Sequence, residues 1–112
     1  MMRGEVWSVR LPAPSGHEQG GQRPAVILQD DAYGQRSPLV LVVPLTSQIG
    51  ALRFPATLQL SPTAGSGLSL SSVALVFQAR AVDRARFVQR LGILPPEDLD
   101  KLLDLLNRLT GQ

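Results

Sequence analysis

The stretch PLVLVVPLT, residues 38–46, constrains this chain more than any other. It is a short continuous apolar run rich in β-branched residues, which fit a pleated surface better than a helix. Such a run predicts a strand covered on both faces. PAVILQ (24–29) and SSVALVFQA (71–79) predict two more strands. EVWSVRL (5–11) alternates imperfectly around Val6, Val9 and Leu11, and FPATLQL (54–60) alternates Phe54, Ala56, Leu58 and Leu60 as a half-buried strand would. FVQRLGIL (87–94) is a sixth, after a helical turn at 83–86.

Only the end of the chain reads as a helix. In PPEDLDKLLDLLNRLTG (95–111), Leu99, Leu102, Leu103, Leu106 and Leu109 share one helical face. Pro96 suits the first turn, where the helix dipole favours Glu97 and Asp98; Arg108 suits the last turn and Gly111 the stop. Six short strands and one terminal helix predict a mainly β fold, a small antiparallel barrel or curled sheet. The 112 residues predict a single domain, 1–112. Aromatic residues make up only 4% of it, so the core is aliphatic.

Composition removes several classes of chemistry. With no Cys and one His, disulfides, thiolate metal sites and a three-His zinc site are excluded. P-loop, dinucleotide-binding, nucleophile-elbow and H-E-x-x-H signatures are missing. No apolar run reaches bilayer length, and MMRGEVW lacks the apolar segment of a signal peptide, so a soluble cytoplasmic protein is expected. The net charge is +2, but four of the nine acids lie at Glu97, Asp98, Asp100 and Asp104. The first 96 residues hold nine arginines against five acids. Arginine offers a planar fork suited to phosphate, although a GC-rich genome produces the same bias.

Three segments carry candidate chemistry. The loop running into SGHEQGGQRPAVIL (15–28) is about a dozen residues long, a length that is usually functional or disordered. It holds the only His, His17, together with Glu18, Gln19, Gly20 and Gly21, and ends on Arg23 before Pro24. The two glycines permit close approach of a ligand, and Pro24 biases Arg23 toward an extended conformation. A surface loop with solvated charges fits the same residues. Second, PLTSQ (44–48) ends its strand on Thr46, Ser47 and Gln48, which suit either a phosphate or base edge or ordinary turn capping. Third, FQARAVDRAR (77–86) brings Gln78, Arg80, Arg84 and Arg86 around Asp83, which can cap the turn after it. A local ion-pair cluster is the plain alternative. Trp7 and Phe87 read as core or interface residues.

Together these segments resemble the MazF/PemK family of toxin endoribonucleases, collinearly and over nearly the whole chain. RGEVWSVRL (3–11) resembles the family's opening strand. GHEQGGQRPAVIL (16–28) resembles its G-S-E-Q-G-G-x-R-P hallmark, and VVPLTSQI (42–49) its apolar strand ending in T-S-Q. GLSLSSVALVFQARAVDRARF (67–87) and LGILPPEDLDKLLDLLNRLTG (91–111) resemble its third block and closing helix. His17 stands where the family usually has Ser, and Ala81 where it usually has Thr.

The resemblance implies an SH3-like small β-barrel of the CcdB/PemK type with a C-terminal helix, forming a homodimer. It implies sequence-specific, metal-independent cleavage of single-stranded RNA without a cofactor, neutralised by a MazE-like antitoxin; DNA is met only through that antitoxin. Arg23 and Thr46 would form the catalytic core, with Glu18 at the acidic loop position. His17, Gln19, Gly20, Gly21, Ser47, Gln48, Gln78, Arg80, Arg84 and Arg86 would contact substrate. The alternatives are a CcdB-like toxin that binds DNA gyrase and a catalytically silent RNA-binding barrel. The chain ends LTGQ, without the Trp-Gly-x-Ile-like tail of the gyrase binders, and keeps the R-P and T-S-Q motifs.

Overall fold

The apolar runs form seven antiparallel strands in a computed structural model that describes residues 1–12, 21–34 and 36–111. They are β1 (Glu5–Leu11), β2 (Gly21–Ile27), β3 (Leu39–Thr46), β4 (Thr57–Leu60), β5 (Ser72–Leu75), β6 (Arg80–Asp83) and β7 (Phe87–Ile93). A single helical turn, α1 (Asp31–Gly34), joins β2 to β3, and α2 (Pro96–Leu109) closes the chain. The strand order is β4-β5-β3-β2-β1-β7, with β6 also paired to β3. The mainly β architecture with a terminal helix is the one expected.

Strand β3 organises the sheet because both of its faces are buried. Val43 and Leu45 enter one core with Val6, Val26, Leu60 and Leu102, while Val40 and Val42 enter a second with Val9, Ala25, Ile27 and Val82. That two-sided burial is what a continuous apolar run requires. The first half of β3 pairs with β6 and its last residues with β5 (Leu45 to Ala74, Thr46 to Val73). Trp7 and Phe87 pack against the second core, edge to face with centroids 5.8 Å apart.

The strand path is open: among the described residues no ladder joins β4 to β7. The segment after β4 nevertheless meets β7, where the Ile93 N–H donates to the Gly65 carbonyl at 2.8 Å. Gly92 makes this approach possible, since a Cβ there would lie 2.2 Å from that carbonyl oxygen.

Four local expectations change. The stretch 54–60 is a strand only over Thr57–Leu60, because Ala56 adopts a left-handed φ of 56° that breaks the pleat. The stretch 71–79 leaves the sheet at Leu75 and becomes a 3-10 turn, Val76–Gln78. The chain then forms the unexpected β6, whose only buried residue is Val82. On α2 the inward stripe is Leu102, Leu103, Leu105 and Leu106, while Leu109 is exposed; the packed face ends one turn before the helix does. Pro at the start, Glu97 and Asp98 in the first turn and Arg108 in the last stand as expected.

Candidate active-site groove

Arg23 and Thr46 come together through strand register. The β2–β3 ladder pairs Ile27 with Val42, Val26 with Val43 and Ala25 with Pro44. Continued by two residues, the same register sets Arg23 opposite Thr46. The ladder stops first, because Pro24 and Pro44 have no N–H to donate. Past that point β3 turns to pair with β5, and a cleft opens between the two strand ends.

Two cavities flank this point, each of about 250 Å3, and both are lined by Arg23, Thr46 and Ser47. The first continues over Gln48, Arg53, Phe54, Phe77 and Gln78. The second continues over Pro24, Leu68, Ser69, Leu70 and Ser72. No Asp or Glu lines either cavity among the described residues, whereas Arg23 and Arg53 bring positive charge. The groove is therefore suited to an anion, and its two arms to a chain that passes on both sides of that anion.

The two central side chains differ in exposure. Arg23 is exposed, and among the described residues no carboxylate forms an ion pair with it. Thr46 is buried, only 6% exposed. Its Oγ1 accepts the Gln48 N–H at 3.2 Å, a turn that ends the strand. With an oxygen lone pair so engaged, the hydroxyl proton remains available to a ligand. The turn-capping reading of PLTSQ thus holds, and the capping residue lines the groove.

The other predicted site residues are dispersed. Ser47 and Gln48 are exposed in the groove, and Gln78 lines its first arm. Gly21 opens β2 with a left-handed φ of 74°, opposite Leu11. His17, Glu18, Gln19 and Gly20 lie outside the described residues. Arg80 pairs with Val42 across β6 and β3, and neither it, Arg84 nor Arg86 lines these cavities. Arg84 is a tether: its Nε donates to the Ser37 carbonyl at 2.6 Å and its backbone N–H to that of Pro38 at 3.0 Å. Asp83 caps the following turn, accepting the Ala85 N–H at 2.8 Å.

Arg53, Phe54 and Phe77 also line the groove, although no motif marks them as site residues and Phe54 reads in sequence only as part of a strand. The residue pattern puts Phe77 in a strand over 71–79, and no periodicity marks the turn that brings it out. Among the described residues no three His, Asp or Glu side chains converge as metal ligands, and no helix is long and apolar enough to cross a membrane.

One titratable group away from the groove is perturbed. Burial works against ionisation of Glu5, but the Met2 N–H at 2.7 Å, Arg90 Nε at 2.6 Å and Trp7 Nε1 at 3.2 Å outweigh it. They hold its carboxyl below the usual range and tie β1 to β7.

Comparison with known proteins converges on one family. The family model described as PemK-like, MazF-like toxin of type II toxin–antitoxin system matches residues 2–110. Endoribonuclease EndoA of Bacillus subtilis (strain 168) is 32% identical over 104 residues, which cover 93% of this chain and 89% of that protein. A crystal structure of MazF from Deinococcus radiodurans superposes with a TM-score of 0.83 at 30% identity, covering 100% and 97% of the two chains. A MazE–MazF structure from the same organism gives a TM-score of 0.77 at 29% identity, covering 100% and 96%.

Proposed function

The chain belongs to the PemK-like, MazF-like toxins of type II toxin–antitoxin systems, and from that membership and the groove we propose that it is a sequence-specific endoribonuclease acting on single-stranded RNA in the cytoplasm. The observation that carries the assignment is the position of Arg23 and Thr46 on the shared rim of two cavities. A scissile phosphate at that point would have its neighbouring nucleotides in the two arms.

The chemistry explains the residue types. The ribose 2′-oxygen attacks the adjacent phosphorus and the bond from phosphorus to the 5′-oxygen breaks. The products are a 2′,3′-cyclic phosphate and a 5′-hydroxyl. One proton leaves the 2′-hydroxyl and one reaches the departing 5′-oxygen. Arg23, always protonated and able to donate two parallel hydrogen bonds, stabilises the added charge at phosphorus first and supports the leaving oxygen second in this scheme. Thr46 donates to a non-bridging oxygen. Such a preorganised donor is worth roughly 3–4 kcal/mol by analogy with oxyanion holes. Glu18 supplies the acidic group for proton transfer in this scheme, with His17 beside it in sequence. Arg23 and Thr46 provide the charge stabilisation that a metal ion gives in other nucleases, so the reaction proceeds without one.

The partners follow the relatives. A MazE-like antitoxin would occupy the groove, and the active toxin would be a homodimer. The test is incubation of the purified protein with a long mixed-sequence RNA in EDTA, with cut sites and end groups read by mass spectrometry. Discrete cuts with cyclic phosphate and 5′-hydroxyl ends are expected. Intact RNA combined with inhibition of DNA gyrase would replace this reading with the gyrase-binding one.

A further inference from the structure

Building on the reading of the groove as an RNA site, we infer that Phe54 and Phe77 form a seat for one nucleobase beside the phosphate held by Arg23 and Thr46. The two rings lie 5.8 Å apart, tilted by 51°, in the wall of the cavity that Arg23 and Thr46 also line. Phe77 is 36% exposed, although the residue before it, Val76, is completely buried. The 3-10 turn Val76–Gln78 produces this difference, sending Val76 to the core and Phe77 to the groove. In a chain with only three Phe, one Trp and one Tyr, an aromatic pair set in a cavity is not surplus core.

The surroundings of the pair indicate what it takes. The Arg53 guanidinium sits 4.6 Å from the Phe54 ring centroid, and its Nη1 donates to the Gly50 carbonyl at 3.3 Å. A cation is thereby held at the rim of the aromatic pair. Gln48, exposed on the same wall, offers an amide with both donor and acceptor to a base edge. A ligand that fills this arm and reaches Arg23 must present an anion alongside a planar apolar group. A nucleotide does so. An apolar peptide side chain satisfies the rings but meets the two arginines only where an acidic residue flanks it, whereas every nucleotide carries both groups. Stacking tolerates any base, so the rings give the seat its affinity and Gln48 gives it preference.

The test uses a labelled pool of short randomised 2′-O-methyl RNAs, which lack the attacking hydroxyl and so report binding alone. Phe77→Leu keeps an apolar side chain and removes the π face; binding is expected to weaken on the order of tenfold. Phe77→Tyr keeps the face and should bind as the parent does. On cleavable mixed-sequence RNA, Phe77→Leu should raise KM more than it lowers kcat and leave the cut motif as it is, whereas Gln48→Ala should relax the base preference at one position of that motif. Unchanged binding by Phe77→Leu, or equal loss in Phe77→Leu and Phe77→Tyr, overturns the inference. Unchanged RNA binding with weaker capture of purified antitoxin overturns it in favour of a peptide seat. If the parent cuts no RNA, the proposed function fails on its own, while binding of the uncleavable pool still decides the seat.

Discussion

Replacing Thr46 with Val separates the chemistry of the groove from the stability of the sheet. The two side chains have nearly the same shape, so the buried site between β3 and β5 keeps its packing. What disappears is the hydroxyl, which accepts the Gln48 N–H at 3.2 Å. Gln48 is exposed, so water takes over that N–H, and the loss stays within the net value of an ordinary hydrogen bond, about 0.5–1.5 kcal/mol. For a domain of this size that lowers Tm by roughly 4–8 °C per kcal/mol, leaving a folded protein at assay temperature. The effect on catalysis is larger. Removing one preorganised donor to a developing oxyanion costs on the order of 10²–10³ in rate, or about 3–4 kcal/mol. Single-turnover cleavage of a mixed-sequence RNA, with Tm measured on the same preparations, reads both quantities. Thr46→Ser, which keeps the hydroxyl, should retain most of the rate. If Thr46→Val stays folded and cuts within about threefold of the parent, Thr46 does not act on the transition state and the argument from its free proton is wrong.

Substitutions at three other positions probe separate parts of the structure. Arg23→Lys preserves the charge but loses the paired donors, so cleavage should fall at least tenfold, on the order of one charge-assisted hydrogen bond; Arg23→Ala should abolish it, and with the side chain exposed both variants should unfold within about 0.5 kcal/mol of the parent. Glu5→Gln should cost about 1–3 kcal/mol at neutral pH, moderated by the exposure of Arg90. Because the folded-state carboxyl titrates below the usual carboxylate range, its stabilisation is present in full above that range and disappears as pH falls through the lowered value. Urea titrations should therefore show the gap between parent and Glu5→Gln closing in acid; a gap independent of pH would mean that the carboxylate charge is not what stabilises the junction. Gly92→Ala drives a Cβ to 2.2 Å from the Gly65 oxygen and 2.4 Å from the Ser66 carbonyl carbon, both backbone atoms, and should cost about 1–3 kcal/mol or more in thermal unfolding. Gly65→Ala, whose nearest new contact is 3.8 Å, serves as the tolerated control.

Residue pattern conveyed the elements whose burial is regular. β1 runs Glu5–Leu11 as expected, β3 lacks only its first expected residue, and α2 occupies most of 95–111, because each buries apolar side chains along most of its length: a partial alternation in β1, a continuous run in β3 and a leucine stripe in α2. The elements misjudged are those set by a backbone event with no periodic trace. Ala56 enters the left-handed region with a side chain that gives no warning, and the strand expected from Phe54 loses its first residues. Val76 and Phe77 continue an apolar run by composition, yet the Ala79 N–H reaches back to the Val76 carbonyl at 3.0 Å and turns Val76–Gln78 out of the sheet. β6 went unseen because its single buried side chain, Val82, makes no pattern.

The same division governs the groove. Arg23, Thr46, Ser47 and Gln48 were legible because they stand just past the end of the β2–β3 ladder, where sequence displays Pro24 and Pro44, which lack an N–H, and the Thr-Ser pair at which β3 ends. The third block was legible in part. Its Gln78 reaches the groove, whereas Arg84 holds β6 to the start of β3, two uses of polar side chains that a linear motif cannot distinguish. Strand register does distinguish them. It counts residues from the last paired position, Ala25 with Pro44, and the count that brings Arg23 to Thr46 also fixes which side chains between them face the core. Val26 and Val43 anchor one face and Ala25 and Val42 the other, so a slip of one residue would bury Arg23's neighbours wrongly on both sides at once. The alignment of the two groove residues is thus protected by hydrophobic packing that neither of them contributes to. For that reason substitutions at Arg23 and Thr46 are expected to remove activity while leaving the strands in place.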